Sequence, residues 1–218
     1  MSDDINYHSK YLKYKKKYFD AKKLYLSKNL MGGGKRKSSN LPIEIIKNSD
    51  ILIENEKEMI KDFQILFDKY DLKKYLFTKR IIIQPYESTF SHSHPTLTIT
   101  RRYGTKKDHL NVLLTTFIHE QFHWWAEKNK KKIDKLIPIL YNKFPDIRLE
   151  HPYGSGNKYG TYNHILVCFH EYNALIDLLG PKKAKEIIEN IPGYFDIYQT
   201  VLNNFDEIKG MLKDYNLL

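Results

Sequence analysis

The sequence predicts an α+β domain, mostly helical with a short sheet, carried behind a basic helical arm. Three observations lead there. Short β-rich runs, Ile81-Ile82-Ile83 and the alternating Thr96–Arg102, fall only in the first half of the domain. From about residue 105 to the end the apolar residues recur at helical spacing. Charge divides the chain near residue 40: residues 1–40 hold 11 Lys/Arg against 3 Asp/Glu, whereas the other 178 residues hold 25 against 23. The net charge of +10 therefore describes an arm more than a domain.

Taken in order, residues 5–29 read as a helix, with Tyr7, Tyr11, Tyr14, Tyr18 and Tyr25 at mostly helical spacing among lysines. Gly32-Gly33-Gly34 and the basic run after it read as a flexible linker, which places the boundary between 1–40 and a domain at 41–218. The domain starts with an extended piece at Ile43–Ile46. A helix follows over Asn55–Lys69, with Met59, Ile60, Phe63, Leu66 and Phe67 on one side. Lys79–Gln84 is a strand. Thr96–Arg102 is a strand with one buried face, Leu97 and Ile99 alternating with threonines. Tyr103-Gly104 turns the chain. Thr105, with Asp108 three positions on, caps a helix that runs to Lys128. Another spans Asn129–Lys143, with Pro138 as a kink. Residues 144–160 form a loop. Thr161 caps a helix to Leu179 that Gly180-Pro181 ends. Two last helices fit 181–190 and 194–214.

Hydrophobic residues at 41% and aromatics at 14% are enough for a real core and exclude wholesale disorder. No run approaches ~20 apolar residues, which excludes a transmembrane helix. The lysine-rich N-terminus lacks the apolar stretch of a secretory signal. The single cysteine, Cys168, excludes an internal disulfide and suits a reducing compartment.

One pattern carries chemistry. His119-Glu120-Gln121-Phe122-His123 is an H-E-x-x-H sequence on a predicted helix. Residues four apart share a helix face, so both imidazoles can hold one metal ion. Glu120, one position on, then lies beside the ion and can accept a proton from water. Two core histidines with other partners are the structural alternative. However, two inward histidines and a carboxylate in an apolar segment need several hydrogen-bond partners, and a metal meets that need at once. A catalytic zinc needs a third protein ligand. On the helix over 161–179, His164, Val167, Cys168, Glu171, Ala174, Leu175 and Leu178 form one stripe. Glu171 stands in the middle of this apolar face and needs a partner there, either a metal or a basic residue.

His119-Glu120-x-x-His123 followed by a helical glutamate resembles the gluzincin branch of zinc metallopeptidases. The resemblance rests on residues 108–180. It implies a small zincin-like domain with Zn2+ held by His119, His123 and Glu171, and with Glu120 as general base. The strand at 96–102 would then lie along the cleft, and the substrate would be a peptide or protein. Of the three third-ligand candidates, His164, His170 and Glu171, the choice falls on Glu171. It is mid-helix and supplies negative charge to a cation in an apolar setting. His164 is then a catalytic residue near the loop, and His170 points away from the stripe.

Tyr11-Leu12-Lys13-Tyr14-Lys15-Lys16-Lys17-Tyr18 with the glycine run resembles leaders on proteins of giant DNA viruses of the mimivirus group. That implies a viral protein in the host cytoplasm or a virion. The arm's interleaved Tyr and Lys suit nucleic acid or another acidic partner. A catalytically inactive zincin-like scaffold or virion protein that binds through this arm is the alternative to a metallopeptidase. Among other residues, His92 and His94 can share a face as a second metal site, or sit in a polar loop. Tyr153, Tyr159, Tyr162 and His151 are candidates to bind an oxyanion.

Overall fold

The structure is a computed structural model that describes residues 41–46, 54–84, 90–100 and 108–218. The expected arm at 1–40, the turn at 103–104 and the Thr105 cap lie outside the described residues. The described chain is mostly helical with a short sheet, as the α+β reading expects.

Strand β1 (Glu44–Ile46) is followed by helix α1 (Glu54–Lys69) and a short 3-10 turn (Leu72–Tyr75). Strands β2 (Arg80–Gln84) and β3 (Leu97–Thr100) complete a three-stranded sheet of order β1-β2-β3. Both pairings are parallel, with Ile45 opposite Ile81 and Ile83 opposite Ile99. Then come α2 (His109–Lys128), α3 (Lys130–Lys143), α4 (Lys158–Leu179), α5 (Pro181–Glu189), α6 (Phe195–Asn203) and α7 (Phe205–Asp214). No described helix is long and apolar enough to cross a membrane.

Three local expectations need correction. Strand β3 was expected to bury one face, yet all four of its residues are buried. A parallel strand packed on both faces hides its threonines along with its aliphatic residues. Helix α4 begins three residues earlier than expected. Its cap is Asn157, whose side chain accepts from Gly160 N at 2.8 Å. Thr161 instead lies inside the helix, where its hydroxyl accepts from Ser155 N. Finally, the segment 194–214 is two helices. Asn204 interrupts it and turns its amide back to the Thr200 carbonyl, and Phe205 begins α7 stacked on Phe169. Pro138 stands inside α3 without ending it.

Helices α2 and α4 pack together at the centre, and this pair positions the site. Both are buried on most of their circumference: Leu113, Leu114, Phe117 and Ile118 in α2, and Ile165 to Phe169 in α4, are fully covered. The rotation of α2 is fixed by a residue inside the H-E-x-x-H pattern. Gln121, fully buried, accepts from Phe77 N (2.8 Å) and Thr78 N (2.9 Å) and donates to Thr78 O (2.9 Å). It closes the backbone groups ahead of β2 onto the helix. Gln121→Leu removes all three bonds. We expect it to cost about 2–4 kcal/mol, the scale for stranding buried backbone groups, as a lower midpoint in chemical denaturation.

Candidate metal centre

The residues around His119 form two adjoining groups. Nitrogens of His119, His123 and His164 lie within 4.8 Å of one another, and so do the ligand atoms of His119, Cys168 and Glu171. His119 belongs to both because its two nitrogens face opposite ways. Its Nε2 is 3.2 Å from His123 Nε2, and its Nδ1 is 2.7 Å from Glu171 Oε2. The His164 ring stands 4.8 Å from that of His123 and 5.7 Å from that of His119. No such group among the described residues unites His123 with Glu171.

The start of α4 orients His164. Gly160 gives its N–H to the Asn157 cap, and its carbonyl accepts from His164 Nδ1 at 2.8 Å. That bond places the proton on Nδ1 and leaves Nε2 with a lone pair. A Cβ at position 160 would come to 2.5 Å from Ser155 Oγ, so any larger residue there requires that hydroxyl to move. Behind His119, the buried Tyr198 of α6 donates its hydroxyl to Glu171 Oε2 at 2.9 Å, so this oxygen serves two donors. Glu171 Oε1 is buried and has no hydrogen-bond partner among the described residues.

Burial and charge divide the titrating groups. Burial, helped by the charge on His119, lowers His123 well below the usual imidazole range and His164 to about 3. Burial also acts to lower His119, but the Glu171 carboxylate overrides it and holds His119 well above the usual range. Burial raises Glu120 to about 7. The free thiol of Cys168 is pushed up by burial and is neutral at neutral pH.

The other singled-out residues fall elsewhere. His170 sits in an aromatic cage, 4.0 Å from the Trp125 ring and stacked on Phe122, and joins neither group. Tyr162 spends its hydroxyl on the Phe144 carbonyl, and Tyr159 bonds Asp134 on the surface. Tyr153 lies beneath the Arg148 guanidinium. His151 alone of the four oxyanion candidates approaches the centre, 6.2 Å from the Tyr194 ring. His94 pairs with Glu127 and stacks on Trp124, whose indole donates to Ser93 O. His92 pairs by its backbone with Thr98 and forms no metal group with His94.

Two residues of the site were not singled out in the sequence. Tyr198 gives no signal beyond being an apolar-stripe aromatic. Tyr194 has one faint cue, its place after Pro192-Gly193. It takes a left-handed backbone (φ 53°), which a bulky residue adopts at a cost of ~1–3 kcal/mol. Its ring covers His164 at 4.6 Å and stacks over His119 at 5.9 Å. The turn is held to the preceding loop by Phe195 N donating to Pro152 O and by Arg148 gripping Asp196 with two nitrogens at 2.7 and 2.8 Å.

No known protein-family model, curated protein or solved structure matches this chain.

Proposed function

We propose that the protein is a metal-dependent hydrolase, with His119, His123 and His164 holding a zinc-like divalent ion and Glu120 as general base. The observation that carries this is the shared approach of three imidazoles with two tautomers fixed from behind. His119 and His164 each commit Nδ1 to an oxygen acceptor. The 3.2 Å between His119 Nε2 and His123 Nε2 is close to the ~3.3 Å separating two nitrogens that share a tetrahedral zinc at ~2.0 Å. This reading exchanges the roles expected from sequence: His164 becomes a ligand, and Glu171 stands behind one.

When bound, such an ion supplies Lewis acidity, lowering the pKa of water and polarising a carbonyl. The chain supplies the rest. Glu120 is one residue from the first ligand and 8% exposed, so its carboxylate would stand beside the ion, able to take a proton from water and return it to a leaving group. His94, stacked on Trp124, is near enough to His123 to act on it electrostatically, and the Tyr194 ring closes the side formed by His119 and His164.

The substrate bond we propose is a peptide bond, after the resemblance of the H-E-x-x-H helix. The outer edge of β3 restricts how such a substrate enters. Thr98 already exchanges both backbone bonds with His92 (2.8 and 3.0 Å), and Thr100 N donates to Ser91 Oγ. A substrate added as a strand there would displace residues 91 and 92. The test is metal analysis of the purified chain, then a peptide-library cleavage screen with and without a chelator. Bound metal and chelator-sensitive cleavage are expected. Metal without cleavage of any library member would leave the inactive-scaffold alternative, and no metal would end the proposal.

Metal uptake also has a proton signature. Near pH 6.5 burial keeps His123 and His164 neutral, whereas His119, held well above the usual imidazole range by the Glu171 carboxylate, carries a proton on each nitrogen and must release one to bind. Calorimetry in buffers of different ionisation enthalpy should show about one proton released per ion.

A further inference from the structure

Glu171 and Tyr198 make an arrangement that core packing does not require. Glu171 is fully buried, and Tyr198 is 4% exposed. Packing alone would be served at lower cost by a leucine and a phenylalanine, since a buried carboxylate is expensive even when paired. Here one carboxylate oxygen accepts two hydrogen bonds and the other accepts none from the described residues. All the bonding is thus directed at one spot, the Nδ1 face of His119. Tyr198 comes from α6, Glu171 from α4 and His119 from α2, so groups from three helices meet at one carboxylate oxygen.

We infer that Glu171 and Tyr198 are a positioning pair for the metal centre: the carboxylate holds the Nδ1 proton of His119, the phenol holds the carboxylate, and Nε2 is thereby aimed and made a stronger donor. The inference rests on the reading of His119, His123 and His164 as ligands. Its physical basis is general. A carboxylate hydrogen-bonded to the far nitrogen of a ligating imidazole fixes its tautomer and ring direction and raises its basicity, and removing it costs ~10–100-fold in metal affinity. The Tyr198 hydroxyl adds direction. Without it, Oε2 would lose the donor that fixes it against rotation toward the unpartnered side.

The experiment uses the full chain and zinc in competition with a chromophoric chelator, with melting curves for each variant. Wild type should bind one zinc per chain. Glu171→Gln, which keeps an acceptor but loses the charge, should bind ~10-fold more weakly, and Glu171→Leu ~100-fold. Tyr198→Phe should weaken binding several-fold. In the zinc-loaded wild type, the His119 Nδ1 proton should appear downfield by NMR and exchange slowly. In Tyr198→Phe it should exchange faster although the fold is kept. Affinities within twofold of wild type in both Glu171→Gln and Tyr198→Phe would overturn the inference and leave the ligand assignment intact. Complete loss of zinc in Glu171→Gln, with zinc retained in His164→Ala, would overturn both, because Glu171 would then be the ligand. Two zinc ions per wild-type chain would also overturn it, placing an ion between His119 Nδ1, Cys168 and Glu171. If Glu171→Leu does not fold, Glu171→Gln and Tyr198→Phe decide.

Discussion

Glu120→Gln should keep its metal and lose hydrolysis by on the order of 10²–10⁴-fold, the usual contribution of a positioned acid–base group. The replacement has almost the same shape, and position 120 is 8% exposed, so neither packing nor the histidines need move. What is lost is the ability to take a proton. Metal content and turnover should therefore separate cleanly in this variant. Equal turnover in wild type and Glu120→Gln would remove Glu120 from the mechanism.

The same variant carries a stability effect of the opposite sign. In the metal-free chain, burial raises Glu120 from 4.5 to about 7. The unfolded chain therefore releases this proton at lower pH than the folded one. The favourable contribution of the protonated form is complete below about pH 4.5 and is lost as pH rises through about 7. The loss is on the order of 3–4 kcal/mol, from a pKa raised from 4.5 to about 7 at about 1.4 kcal/mol per tenfold change in proton affinity. Metal-free Glu120→Gln should thus equal wild type near pH 4.5 and exceed it at pH 8. Denaturation midpoints of both proteins at the two pH values measure this. A metal-free wild type whose stability matches that of the variant at pH 8 would show that Glu120 ionises there without penalty.

The residues that could be read from the sequence are those whose partners lie within one helix turn. His119 and His123 are four apart, so helical geometry alone brings their rings together, at 4.9 Å between centroids. The strands at 44–46, 80–84 and 97–100 were visible in their β-branched runs, but parallel pairing and two-sided burial depend on which elements cover the sheet, and alternation cannot report that. Gln121 shows the same limit. It looks like a spacer in the pattern, yet it is the best-satisfied side chain on α2 because backbone groups some forty residues earlier come to meet it. Helix periodicity correctly put His164 and Glu171 on one stripe. It could not say where along that stripe α2 crosses. Both residues reach His119, seven positions apart: Glu171 meets its Nδ1, and the His164 ring lies 5.7 Å from its ring.

That arrangement makes His164→Ala the variant with the greatest expected effect on metal binding. The two nitrogens of one imidazole diverge, so an ion on His119 Nε2 cannot also reach a group hydrogen-bonded to Nδ1. Glu171 is at Nδ1, 2.7 Å away. For an ion shared by His119 Nε2 and His123 Nε2, the third imidazole within 4.8 Å is His164. Its ring is half-buried, its Nδ1 is tied to Gly160 O, and its pKa near 3 keeps Nε2 free of a proton across the physiological range. Deleting it leaves two nitrogen ligands, too few for a closed tetrahedral set. We expect His164→Ala to lose at least 10³-fold in zinc affinity, roughly 4 kcal/mol, well beyond the loss from Glu171→Gln. The neighbouring Tyr194 ring, 4.6 Å away, then loses the surface it packs on, so the test should include His164→Gln, which fills the same space with a poor zinc ligand. If both variants hold zinc as wild type does, His164 is not a ligand, and the ion must use His119 through the nitrogen that faces Glu171.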